Sequence, residues 1–138
     1  MAERPAADPV ELTRRLFACA DGGDIDGIMD AVDLDAVWDA SSWGFGVYEG
    51  RRLIRRFLED WIGSFEEFRR DSEEVVDLGG GVVYAVAVTR GRTRGGPEIR
   101  IRGATVCLWV DGLTKRVAFY QDPADGRAAA ERLAEAGA

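Results

Sequence analysis

Val10, Thr13, Leu16, Phe17 and Ala20 recur at helical spacing, and the run is opened by Asp8-Pro9-Val10-Glu11. Asp8 can cap free amides, Pro9 suits the first turn, and Glu11 stands three places after the cap, so a helix is predicted to start there. Asp21-Gly22-Gly23-Asp24 breaks it, and Asp24 caps a short second helix through Ile25, Ile28, Met29 and Val32. Asp35 to Ser41, with Ala36-Val37-Trp38-Asp39-Ala40 at its centre, is too short for an independent helix and rich enough in Val and Trp for a strand. After a loop over 42–50, the strongest periodicity places Leu53, Ile54, Phe57, Leu58, Trp61, Ile62 and Phe65 on one face and charged residues on the other. That amphipathic helix needs a platform.

Four further strands supply it: Ser72 to Leu78, Val82 to Thr89, Glu98 to Val110 and Arg116 to Gln121. The connections Gly79-Gly80-Gly81, Gly91 to Pro97 and Asp111-Gly112 are short, which makes the strands antiparallel neighbours. A helix from about Asp125 to Ala136 closes the chain. The order is α+β, with a curved sheet wrapping the long helix. Along the Val82 strand, Tyr84, Val86 and Val88 share one face, and Val83, Ala85 and Ala87 the other. The small residues mark room for a ligand or a close helix.

With 138 residues and 46% hydrophobic content the chain makes a single domain, 1–138. Residues 1–8 are expected to form a flexible lead and 126–138 a terminal helix or tail. No apolar run approaches the ~20 residues of a membrane span, and residues 1–8 hold no apolar stretch typical of a secretory signal, so a cytoplasmic location is expected. The net charge of -7 disfavours nucleic acid or an anionic membrane as the main partner. Arg90, Arg92, Arg94, Arg100 and Arg102 do cluster around a glycine-rich hairpin, but they read as a solvated edge that discourages sheet stacking.

The chain contains no histidine, which removes the commonest general base, zinc ligand and nucleophile partner together. Cys19 and Cys107 lack metal-site spacing and read as reduced core residues. No phosphate-binding glycine motif occurs, and neither a metal nor a cofactor is expected. Chemistry, where present, falls to carboxylates, tyrosines or basic side chains.

The segment from about Val10 to Asp125 resembles the SnoaL-like branch of the NTF2-like superfamily. The likeness rests on Ala20-Asp21-Gly22-Gly23-Asp24-Ile25-Asp26-Gly27-Ile28, on Ala36-Val37-Trp38-Asp39, and on Glu49-Gly50-Arg51-Arg52-Leu53-Ile54-Arg55-Arg56-Phe57. Ile101-Arg102-Gly103-Ala104 leading to Trp109-Val110-Asp111-Gly112, and the closing Tyr120-Gln121-Asp122, complete it. The resemblance implies a cone of helices on a strongly curved, mainly antiparallel sheet, an apolar pocket for a small hydrophobic ligand, and a homodimer formed through the outer sheet face. The family spans polyketide cyclases, ketosteroid isomerases and limonene-epoxide hydrolases, so the fold leaves the chemistry open.

Asp39 matches the first-strand aspartate that serves ketosteroid isomerases as base, and desolvation by Trp38 and Trp43 would raise its pKa toward a working range. Its other reading is a strand-end aspartate bonded to a loop amide. The isomerases' oxyanion donors have no counterpart in Leu16-Phe17 or Thr105-Val106-Cys107, at a loss of ~2.7–4 kcal/mol per donor, so a steroid isomerase is disfavoured. Asp122 matches the last-strand aspartate of epoxide hydrolases and the acidic residue of SnoaL-type cyclases, although Val82 to Val88 lacks the hydrolases' Arg-x-Asp. Preceding Pro123, it equally suits a cap on the final helix. Asp39 and Asp122 facing one cavity would allow one to stay protonated while the other ionises. Trp38, Trp43, Trp61, Tyr84, Trp109 and Tyr120 are candidates to line the pocket, each with a core alternative. The expectation is an acid/base isomerase, cyclase or hydratase acting on a small hydrophobic carbonyl compound, or else a non-catalytic ligand-binding or dimerisation module.

Overall fold

A computed structural model describes residues 8–137; the expected N-terminal lead, apart from Asp8, lies outside them. Asp8 accepts from the Val10 amide at 2.9 Å and opens helix α1, Pro9–Asp21. Asp24 likewise accepts from Gly27 N–H at 2.9 Å and opens α2, Ile25–Asp30. Val32 does not end that helix. It starts strand β1, Val32–Asp39, three residues before the expected strand, where it is fully buried. The segment expected to be loop carries a short 3-10 turn, Ser41–Trp43, and a three-residue strand β2, Val47–Glu49, which forms by pairing with β1.

The amphipathic helix is α3, Arg51–Gly63. Ile54 and Leu58 form its buried centre, whereas Leu53 is exposed and Phe65 already belongs to the sheet. Strand β3, Phe65–Gly79, is twice the expected length, because its first half is a charged segment whose Glu and Asp residues disfavour strand. Pairing with β4, Val82–Thr93, along its length overrides that preference. Strands β5, Glu98–Val110, and β6, Leu113–Tyr120, complete a six-stranded sheet ordered β2-β1-β6-β5-β4-β3. It is mixed, since β1 runs parallel to β6, and it curls without closing, with β2 and β3 as free edges.

The pleat divides the chain into two cores. One face carries Val83, Cys107, Trp109 and Val117 against α1, α2 and α3. At its centre the Trp109 indole N–H donates to the Thr13 hydroxyl at 2.9 Å, and that hydroxyl donates to the Pro9 carbonyl at 2.8 Å, so this buried polar pair is satisfied. The opposite face carries Val82, Tyr84, Val86, Ala104 and Val106, and helix α4, Pro123–Ala136, lies across it with Ala130 fully buried. Close approach needs Gly126, where a Cβ would come within 2.8 Å of the Ala104 methyl.

The β3-β4 turn depends on left-handed glycines. Gly79 and Gly81 have φ of 89° and 81°; a Cβ at Gly79 meets open space, whereas one at Gly81 would collide with the Trp109 carbonyl. Gly79→Ala should therefore cost only the left-handed backbone, about 1–2 kcal/mol. Gly81→Ala should cost clearly more, because the backbone of β5 must also shift; urea unfolding of the two variants checks the order.

Candidate binding site

Between α1, α3 and the concave face of the sheet lies a cavity of about 400 Å³, within the range usual for small-molecule sites. Its helical wall is Leu16, Phe17 and Ala20 from α1 with Phe57, Leu58, Trp61 and Ile62 from α3. Its floor is the sheet, where small side chains leave the space: Ala87 and Thr89 on β4, Gly103 and Thr105 on β5. Those positions alternate with residues facing α4, so the volume is a direct product of the two-residue strand period. Trp38, Ala40, Trp43 and Phe45 close one end.

Aromatic rings form a continuous arc around this space. Tyr48 stacks on Phe57 at 4.6 Å, Phe57 meets Phe45 edge-on at 6.0 Å, and Phe45 meets Trp61 at 5.8 Å. Trp61 in turn packs on Phe65 at 5.1 Å, and Phe65 on Phe68 at 5.3 Å. The arc ends on a cation: the Arg70 guanidinium lies 4.5 Å from the Phe17 ring centre and 5.9 Å from that of Phe68. Burial pulls the Arg70 pKa down, the nearby Asp21 opposes this, and the guanidinium stays charged. Cys107, fully buried near it, has its thiol pushed up to about 12 by burial, against the pull of Arg70.

Of the aromatic residues expected to line a pocket, Trp38, Trp43 and Trp61 do so. Trp109 does not: it is in the core, its N–H spent on Thr13. Tyr84 and Tyr120 lie on the opposite sheet face beneath α4, where the Tyr84 hydroxyl donates to the Pro123 carbonyl at 2.9 Å. Strand parity accounts for all of Tyr84's displacement, because Ala85 and Ala87 take the other face.

Neither carboxylate lines the cavity. Trp38 points in, so its neighbour Asp39 points away, and its carboxylate accepts the Ser41 hydroxyl at 2.6 Å, the Ser41 amide at 3.0 Å and Arg116 Nη2 at 3.2 Å. The expected upward pKa shift is replaced by a downward one. The Ser41 hydroxyl bond is its largest cause, partial burial opposes it, and the Ser41 amide and Arg116 add to it. Asp39 thus clamps the turn that carries Trp43 over the cavity. Asp122 caps α4, accepting the Ala124 amide at 2.9 Å, and is exposed. The structure does not bring the two acids together in the cavity.

Sequence reading missed Phe45, Phe57, Phe65, Phe68 and Arg70 as wall residues. Phe57 and Phe65 were visible as the apolar face of the long helix. Arg70 and Phe68 fell in the charged segment left without a face, although extending the strand back from Ser72 would have exposed an inward-outward alternation there. Among the described residues no cluster of three His, Cys, Asp or Glu side chains could hold a metal ion, and no helix is long and apolar enough to cross a membrane.

A family model for the SnoaL-like domain matches residues 13–117. Among curated proteins none matches in sequence. Solved structures share the fold. A protein described as a SnoaL-like polyketide cyclase, from Shewanella denitrificans, is 19% identical with a TM-score of 0.73, over 91% of this chain and 99% of that one. One described as an aromatic ring hydroxylase, from Novosphingobium aromaticivorans, is 20% identical with a TM-score of 0.73, over 86% and 91%. TerC, co-crystallised with polyporic acid, is 19% identical with a TM-score of 0.71, over 90% and 99%.

The Asp39 clamp predicts a pH signature. Its folded pKa lies below the ordinary value of 3.8, so its contribution is present above that value and lost as pH falls through the folded pKa. Asp39→Asn is expected to cost about 1 kcal/mol at neutral pH, with the deficit against wild type narrowing on acidification past 3.8; urea unfolding across the pH series measures it.

Proposed function

This chain belongs to the SnoaL-like domain family, and we propose that it binds a small, predominantly apolar ligand with a flat ring system in the cavity between α1, α3 and the sheet. The observation that carries this reading is the cavity itself: about 400 Å³, walled by aromatic rings and floored by small side chains. A core under no demand to hold a ligand would fill such a volume, since each unfilled space forfeits packing energy. The crystallisation of TerC, a protein of the same fold, with polyporic acid supports a small-molecule role.

Carboxylate-driven isomerase, cyclase or hydratase chemistry receives less support, because Asp39 is held in the Ser41 and Arg116 bonds and Asp122 in the cap of α4. Leu16, Phe17 and Thr105 do line the cavity, and their two hydrocarbon side chains and one hydroxyl offer little to a developing oxyanion. Binding is therefore placed ahead of turnover.

The homodimer implied by family resemblance would use the part of the outer face that α4 leaves open. There Glu67, Arg92 and Glu98 stand in register across β3, β4 and β5, beside the row Arg69, Arg90 and Arg100. A two-fold rotation can set acid against arginine. Such a dimer dissociates as salt rises, as light scattering over a NaCl series would show; a dimer indifferent to salt would rule this contact out.

Filling the cavity tests the main reading. Ala87→Trp is expected to leave the circular dichroism spectrum unchanged and to weaken binding of a neutral phenylnaphthylamine dye by about tenfold or more. Asp39→Asn, which loosens only the turn under Trp43, should weaken dye binding far less than Ala87→Trp. Equal affinity in wild type and Ala87→Trp would defeat the proposal.

A further inference from the structure

Among the described residues, Arg70 is the single charged one lining the cavity. Its guanidinium has an aromatic ring on one side, Phe17 at 4.5 Å. Among the described residues no carboxylate lies within ion-pairing distance of it: the carboxylate bonded to this residue, that of Asp21, takes the Arg70 backbone N–H at 3.1 Å instead. Among the described residues, exposed arginines such as Arg52, Arg56 and Arg100 also meet no acid, but none of these lines the cavity. Arg55, Arg69, Arg90, Arg102, Arg116 and Arg127 all meet acids within 4 Å. Arg70, half-buried in the cavity wall, thus has no acid to pair with among the described residues, in a chain with 25 acidic residues against 18 basic ones.

An enclosed guanidinium facing an apolar space is unfavourable unless its donors are used, and a ring face compensates only in part. Arginine presents its donors as a planar fork that fits a carboxylate through two parallel bonds. Thr89 is the direct cross-strand partner of Arg70, lines the same cavity, and has a hydroxyl with no bond to any described residue. One cation and one free hydroxyl therefore stand side by side at the end of the aromatic arc.

Resting on the binding function proposed above, we infer that the ligand is an anion, an aromatic or polycyclic carboxylate or its enolate equivalent, whose rings lie along the aromatic arc and whose acidic group is held by Arg70 with Thr89 beside it. The anchor also fixes orientation, since an apolar cavity alone would accept the rings either way round. The net negative charge of the protein slows the approach of such a ligand, and Arg70 supplies the local field that outweighs it at short range.

The test is displacement of the neutral phenylnaphthylamine dye by two ligands of equal shape, naphthoate and naphthamide. Wild type should bind naphthoate about tenfold or more tightly than naphthamide, as expected for a charge-assisted pair. Arg70→Met should abolish that preference by lowering naphthoate affinity far more than naphthamide affinity, and Arg70→Lys, which keeps the charge without the fork, should retain part of it. Thr89→Val should reduce the preference by a smaller factor. Equal binding of acid and amide by wild type overturns the anion assignment but leaves the binding function standing. Failure of the dye and both ligands to bind overturns the binding function, and the assignment with it. Should Arg70→Met fail to fold, the wild-type ratio and Arg70→Lys still decide.

Discussion

The two-residue period of the β-sheet is the constraint from which the cavity, its lining and its charge all follow. On β4, one parity carries Val82, Tyr84 and Val86 outward to α4, and the other carries Val83, Ala85, Ala87 and Thr89 inward. The outward set is bulky and packs to completion. The inward set becomes small toward Thr89, and on β5 Gly103 and Thr105 continue the trend. A slip of one residue would bury Arg69 and Arg90 and expose Arg70, so register and pocket chemistry are one property.

Parity also decides which polar groups reach the ligand. Asp39 follows Trp38 and is turned away from the cavity, where Ser41 and Arg116 satisfy it. Arg70 follows Arg69 and is turned in. The protein therefore presents carboxylates outward and one guanidinium inward, the reverse of what a first-strand aspartate suggests. Trp38 carries the one buried side-chain polar atom without a partner among the described residues, its indole nitrogen, and it too belongs to the cavity wall.

Much of the fold was legible because caps and periodicity are local signals. Asp8, Asp24 and Asp122 each stand where a helix begins, and the α3 face reads from spacing alone. The order of helices and strands already implied a curved sheet, and the family likeness added the cone with its apolar pocket. What escaped was set by distant partners. Residues 65–71 lack strand composition and become strand only by pairing with β4, and β2 exists only through its pairing with β1. The site was less legible than the fold for the same reason: Trp38, Trp43 and Trp61 were found as apolar candidates, but Arg70 looked like one charge in a charged run until its strand and parity were known. Tyr84 was assigned to the pocket although the alternation already set it opposite the small residues.

Cys107 sits behind this wall on β5 with no exposed surface and a thiol pushed up to about 12. Burial keeps it as the unreactive thiol at neutral pH, and no reagent can reach it in the closed state. Alkylation of this cysteine consequently requires the sheet to breathe beside Arg70, and its labelling rate is a built-in clock for that opening. Cys19, half-buried near the end of α1, is the more accessible of the two thiols.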